Sequence, residues 1–401
     1  MTPPLRRTRG DLIATAVIAA VSVILLIAAV LTAPVRASHL NPAGRELEKT
    51  GRLSAAPSSL SESFRLRDNS PGPRPIVADR LIITYADHTL TATTPEGETA
   101  WTYSRDSDLC SLAQAWGKVV ADYRGPAGCG DVVALTALTG QYAGTRSAVA
   151  PEQVAGISSN DKIGYVSTSR VELWRSDLVR TVEYGAVEAP QEAGMQPNRC
   201  SLTSALTRTE LLAITEKCGD GTFLRLQDAT PEDSRKPEIH SSVALPEGAY
   251  LVAVGQGAAA VYDPATSRVT SYKKDGSELA STAVAQLSGG ATVDGTLHVL
   301  PTADLPHHMM FYGGGHLLTF DPSTLAVTGT FDGARGTGAA VGDRLIFATD
   351  TGLAVANADN NATEQIIPVD RGGYRGEVYV DSAGAGVVEK RGSEVIYLKA
   401  N

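Results

Sequence analysis

Apolar and polar positions fall into three regimes along the chain. Residues 12–33 are an unbroken apolar run of 22 with no charge, in which only Thr15, Ser22 and Thr32 are polar. A helix rises 1.5 Å per residue, so this run crosses the ~30 Å hydrocarbon layer of a bilayer. Residues 34–60 are rich in Ala, Pro and Ser and carry no strand period, which predicts a linker with a short helix around residues 44–50. From about Ser61 onward, short runs of β-branched and aromatic residues alternate with Gly, Asp, Asn and Pro, the pattern of an all-β domain with many short strands.

The runs recur. Strong apolar segments stand at 81–85 (LIITY), 119–123 (VVADY), 162–166 (KIGYV), 211–214 (LLAI), 251–254 (LVAV) and 345–348 (LIFA). Each is followed by a second strand and a turn, as in VYDPATSRVTSY at 261–272 and TFDPSTLAVTGTF at 319–331. A period of ~40 residues with four strands marks propeller blades: one such sheet cannot bury both faces alone, but a ring of them can. Seven units fit at 76–104, 110–146, 152–185, 200–242, 246–282, 290–331 and 336–369. The strand at 63–67 and the C-terminal piece 377–398 are left over, and pairing them completes an eighth blade. Closure removes the exposed edges of the first and last sheets. A seven- or eight-bladed propeller over 61–401 follows: the completed eighth blade favours eight, while the short third and seventh units keep seven as the alternative. The turns Asp263-Pro264-Ala265-Thr266 and Asp321-Pro322-Ser323-Thr324 are expected to join third and fourth strands, with Asp accepting from the amides ahead and Pro presetting φ.

The repeated units, with turns such as ALTALTGQY at 134–142 and FDPSTLAVTGTF at 320–331, resemble the PQQ-binding-like (quinoprotein-like) β-propeller superfamily. With VELWRSDLVRTVEYG at 171–185, the layout of one anchor plus a propeller is similar to membrane-anchored propeller proteins of actinobacteria. The resemblance covers about 65–400. It implies a propeller fold and two branches of function, quinone-dependent dehydrogenases and non-enzymatic scaffolds. The dehydrogenases carry adjacent cysteines over the quinone, calcium-binding acids and a tryptophan docking motif. No two cysteines are adjacent here, and the tryptophans are Trp101, Trp116 and Trp174 alone. The resemblance therefore implies the scaffold branch, with no cofactor.

Charge sets the orientation of the apolar run. Arg6, Arg7 and Arg9 precede it and Arg36 follows, which puts residues 1–11 in the cytoplasm and the propeller outside. The competing reading is a cleaved signal peptide with small residues near Val35-Arg36-Ala37. Signal cores usually run about 7–15 apolar residues, so the longer run favours an uncleaved anchor. Of the net charge of −9, the first eleven residues contribute +2, leaving −11 on the remainder. Phosphate backbones repel such a domain, which argues against nucleic acid as a partner. Envelope or membrane proteins are the expected partners.

The four cysteines, Cys110, Cys129, Cys200 and Cys218, form two local pairs spaced 19 and 18 apart. On the oxidising side of a membrane, disulfides 110–129 and 200–218 are the natural pairing of the three connectivities, each stapling a strand to its neighbour. Zinc is the competing use, but no C-x-x-C occurs and no histidine lies near. Elsewhere, His307-His308-Met309-Met310 offers copper-type donors but reads as a loop. Gly313-Gly314-Gly315 reads as a tight turn rather than a phosphate cradle. Asp79, Asp161 and Asp343 precede strong strands, where a carboxylate ring on the axis competes with ordinary hairpin turns. His88 falls in a turn, and Asn361-Ala362-Thr363 matches a glycosylation sequon of little meaning in a bacterium-like chain. No nucleophile elbow occurs. The sequence thus predicts no catalytic, metal or cofactor residue. It points to an anchored interaction scaffold, with a quinone- or metal-dependent oxidoreductase and a small-ligand sensor as alternatives.

Overall fold

Strands in this molecule read differently by radius, because inner sheets are packed on both faces. The second strand of blade 1, Leu81–Ala86, is buried at five consecutive positions. Leu81, Ile83 and Tyr85 face the blade 2 side, and Ile82 faces blade 8. Two-sided burial is why these segments are continuous apolar runs. An outer strand such as Ile239–Leu245 alternates between half-buried and exposed positions instead.

The computed structural model describes residues 7–48, 53–188, 190, 192–197, 200–288, 292–293, 296–358 and 360–401. Among them, eight sheets form the blades, spanning 76–105, 109–147, 155–185, 201–245, 250–283, 302–332, 339–368 and 379–400. In the eighth, Leu60–Arg67 supplies the outermost strand, paired antiparallel with Glu394–Ala400 from Leu60↔Ala400 to Arg67↔Glu394. The leftover strand closes the ring as its sequence predicts. Each blade runs from an inner first strand to an outer fourth. First–second and third–fourth turns therefore share one face, here the hairpin face. Second–third turns and the links between blades share the other, the connection face.

Closure is reinforced by buried charge. The Lys390 ammonium lies 2.8 Å from Asp68 and donates to Ser70 O (3.0 Å) and Oγ (2.9 Å), while Asp68 accepts from the Tyr85 amide at 2.9 Å. This ties blade 8 to blade 1 through the link at 68–75. Beside it, Glu389 is fully buried between Arg371 (2.7 Å) and Arg391 (2.6 Å).

The region before the ring departs from the expected linker. The helix spans Arg9–Thr32, capped by a reciprocal Thr8–Asp11 box, and buries no residue. After the 3₁₀ turn Pro34–Ala37, Ser38–Asn41 becomes a fifth strand on the outer edge of blade 1, from Ser38↔Arg105 to Asn41↔Thr102. Leu40, Ala43 and Leu47 then pack on the core of blades 1 and 2, and Leu53, Ala56 and Leu60 on that of blades 7 and 8. Residues 44–48 are bends and extended chain, not the expected helix; 49 and 50 lie outside the described residues. A four-residue edge strand with polar ends leaves no period to read.

Two further expectations change. The turn at 263–267 joins the second and third strands of blade 5, whereas 321–326 joins the third and fourth of blade 6. In both, the Asp carboxylate accepts from amides two or three residues on, a local device that works in any hairpin. Blade 6 begins at Thr302, not 290. The stretch before it holds a separate hairpin, Thr292–Val293 with Thr296–Leu297, and Leu287, Leu297 and Leu300 join the core of blades 3–6. Residues 289–291, 294 and 295 lie outside the described residues.

Both disulfides form, Cys110–Cys129 and Cys200–Cys218. They sit at the connection-face ends of blades 2 and 4. Cys200–Cys218 staples neighbouring first and second strands, but Cys110–Cys129 links the first strand to the third, past a bulge at position 110. Each closes a loop of about 19 residues, worth about 3 kcal/mol. The Cys110→Ser/Cys129→Ser double variant is expected to lose roughly that much in a denaturant titration; an unchanged midpoint would contradict a stabilising role.

Candidate functional site

Eight inner strands converging on one axis leave a hub cavity of about 420 Å³. Its wall is the backbone and short side chains of the first strands, including Ser111, Ile157, Ser204 and Leu206. At the connection face its lining includes residues 71–75 and 297–300, which approach each other: a β-carbon on Gly72 would stand 3.8 Å from Val299 Cγ2. Toward the hairpin face the lining ends in exposed residues, Ser158, Asn160 and Pro306.

Two ion pairs polarise the cavity. Arg208, ending the first strand of blade 4, meets Asp304, ending that of blade 6, at 3.0 Å, spanning blade 5. Burial pushes the Asp304 carboxyl above its usual range, and Arg208 opposes this. On the far wall, Arg74 donates to Thr337 Oγ1 (2.6 Å), Gly338 O (3.0 Å) and Asp381 (3.5 Å). The cavity thus pairs two guanidinium–carboxylate couples with an apolar belt, a lining suited to a small polar molecule with an apolar body.

The residues singled out by sequence do not gather there. Asp79, Asp161 and Asp343 lie in the first–second turns of blades 1, 3 and 7. Asp161 accepts from Ser159 Oγ at 2.9 Å, and Asp343 is 86% exposed beside Arg344. His307 and His308 precede a strand, Met309–Gly313, in which both methionines are buried, so the expected loop ends at His308. Met309 faces the blade 5 side and Met310 the blade 7 side, so the two thioethers diverge. Gly314 and Gly315 form the tight turn, at φ 62° and 88°. His88 caps a turn with Nδ1 3.3 Å from Ser107 O, and Asn361 donates to Thr328 O at 2.7 Å. Among the described residues, one trio of ligand-type side chains clusters, Cys200, Glu216 and Cys218, and both of its sulfurs are in the disulfide.

A buried acid escaped the sequence reading. Asp122, in the second strand of blade 2, is 1% exposed, and neither carboxylate oxygen has a hydrogen-bond partner among the described residues. Burial pushes its pKa well above the usual range, with Glu172 and Asp131 adding to the shift and Arg146 opposing it. The native state then holds a proton that the unfolded chain releases. Stability from this group is complete at acidic pH and falls as pH rises from the ordinary carboxylate range through the raised value. Asp122→Asn is expected to stabilise the ring at pH 8 by at least about 1 kcal/mol and to flatten that slope. Melting curves from pH 4 to 8 check it; an unaltered slope would contradict it.

No family model matches the chain, and no curated protein matches it. Among solved structures, it is similar to BamB from Moraxella catarrhalis, with 12% identity and a TM-score of 0.49 over 85% of this chain and 99% of that one. It is also similar to the dihydro-heme d1 dehydrogenase NirN in complex with DHE, with 13% identity and a TM-score of 0.48 over 84% of this chain and 76% of that one. The eight-bladed fold rests on the strand order itself. The apolar N-terminal helix, fitting an anchor or a signal, and the two disulfides mark an extracytoplasmic domain.

Proposed function

We propose that this protein is a non-enzymatic, membrane-anchored β-propeller that acts as a protein-interaction scaffold at the cell envelope. The observation that carries this reading is the route of the chain out of its apolar helix. Only residues 33–37 separate the helix end from the fifth strand of blade 1, and the chain then runs on to close blade 8. The ring does not swing on a loose tether. It is a stiff platform held beside the bilayer, with its surface loops offered to partners while the blades stay fixed.

Photo-crosslinkers placed in the turns of either face, in intact membranes, are expected to yield adducts with envelope or membrane proteins. Self-links alone, or no links, would remove the scaffold reading. Pyrroloquinoline quinone with calcium is expected to give an absorbance equal to the sum of its parts; a protein-dependent quinone band would favour the oxidoreductase instead. The hub cavity supports a second reading, a sensor for a small envelope molecule. A melting shift with small carboxylate-bearing compounds, abolished by Arg208→Ala, would support that one.

A further inference from the structure

We infer that the ring has a fixed polarity on the membrane: its connection face lies against the bilayer, and its hairpin face looks away. This rests on the proposed uncleaved anchor and adds an orientation to it.

The argument is one of direction. Ser38 pairs with Arg105, the last residue of the fourth strand of blade 1, and Asn41 pairs with Thr102. Arg105 is at the connection-face end of that strand. The chain leaving the membrane therefore reaches the ring at its connection face and climbs the outer edge of blade 1 away from it. Beyond Asn41, described residues of the chain lie at the hairpin face. The Ala43 amide donates to Thr139 O (2.9 Å) in the third–fourth turn of blade 2, and Ser54 O lies against Gly342 in the first–second turn of blade 7. The five residues between Thr32 and Ser38 reach at most about 20 Å even fully extended, and four of them form the 3₁₀ turn Pro34–Ala37, which is shorter still. The connection-face end of blade 1 is thus held within about 20 Å of the membrane surface. The opposite end of its fourth strand, seven residues long, stands roughly 23 Å further away.

Two features already described acquire a direction. The end of the hub lined by Gly72 and Val299 faces lipid, and the end lined by Asn160 and Pro306 faces the aqueous side. Both disulfides lie on the membrane side.

Glu98 and Asp106 flank the same strand at its two ends, and both are exposed, so they differ in face but not in radius. The full chain, carrying Glu98→Cys or Asp106→Cys with a maleimide fluorophore and its native disulfides intact, is placed in phosphatidylcholine–phosphatidylglycerol nanodiscs containing a headgroup nitroxide quencher. The label at 106 is expected to be quenched at least twofold more than that at 98. A second pair, Glu152→Cys on the connection face and Glu210→Cys on the hairpin face, is expected to show the same order. Equal or inverted quenching in protein that co-floats with lipid overturns the polarity while leaving the anchor standing. Failure of the full chain to float with lipid overturns the anchor, and the polarity with it.

Discussion

A chain in which Leu60–Arg67 is replaced by a Gly-Ser segment of equal length is expected to lose its ring. The strand is the outer member of blade 8, seven register pairs bind it to Glu394–Ala400, and Phe64 stacks on Tyr397 at 5.1 Å. Its loss exposes the edge of Glu394–Ala400 and removes the link that holds the first blade to the last. Truncating a fully buried aromatic costs about 3–5 kcal/mol, half-buried Phe64 contributes part of that, and the open edge invites pairing between molecules. The variant should unfold at a much lower denaturant concentration, with a broadened transition, or accumulate as aggregate. A sharp transition at the original midpoint would show that the blades stand without closure.

The second large effect is expected at Glu389. Its carboxylate is fully buried and contacts Arg371 and Arg391, whose side chains are 6% and 3% exposed. Glu389→Ala leaves two guanidinium groups buried without their counter-charge, which typically costs about 3–5 kcal/mol. Replacing all three residues by apolar side chains of similar volume should restore most of that loss, since the penalty comes from the stranded charges and not from the missing pair. Urea titrations of the single and triple variants distinguish the outcomes. A near-neutral Glu389→Ala would mean that water reaches this site.

The ring was legible in the sequence because its signals are collective. The strong apolar strands recur at blade spacing, five of the six as second strands and 251–254 as the first of blade 5, and the unassigned pieces at 63–67 and 377–398 fit together only as an eighth blade. The cysteine pairs were legible because each closes a short loop within one blade. What stayed hidden depends on contacts across the ring. Ser38–Asn41 is a polar-ended strand whose partner lies more than 60 residues away, so nothing local marks it. Met309 and Met310 looked like loop donors beside two histidines, yet their alternation is that of a strand buried on both faces. The hub cavity draws its wall from all eight blades and part of its lining from an inserted segment, and no run of sequence encodes it. Asp122 reads as an ordinary polar residue between two apolar ones, because its lack of partners is a property of the neighbouring blade. The D-P-x-T turns show the opposite hazard: a strong local motif recurred at different places in two blades, since it specifies a turn and not a position.

Hydrogen exchange across the closing ladder tests the closed ring most directly. In a ring shut by the chain's own two ends, the hydrogen-bonded amides of Leu60–Arg67 and Glu394–Ala400 should exchange together, at the slow rate set by global unfolding. Rapid, independent exchange of Leu60–Arg67, while the other blades remain protected, would contradict it.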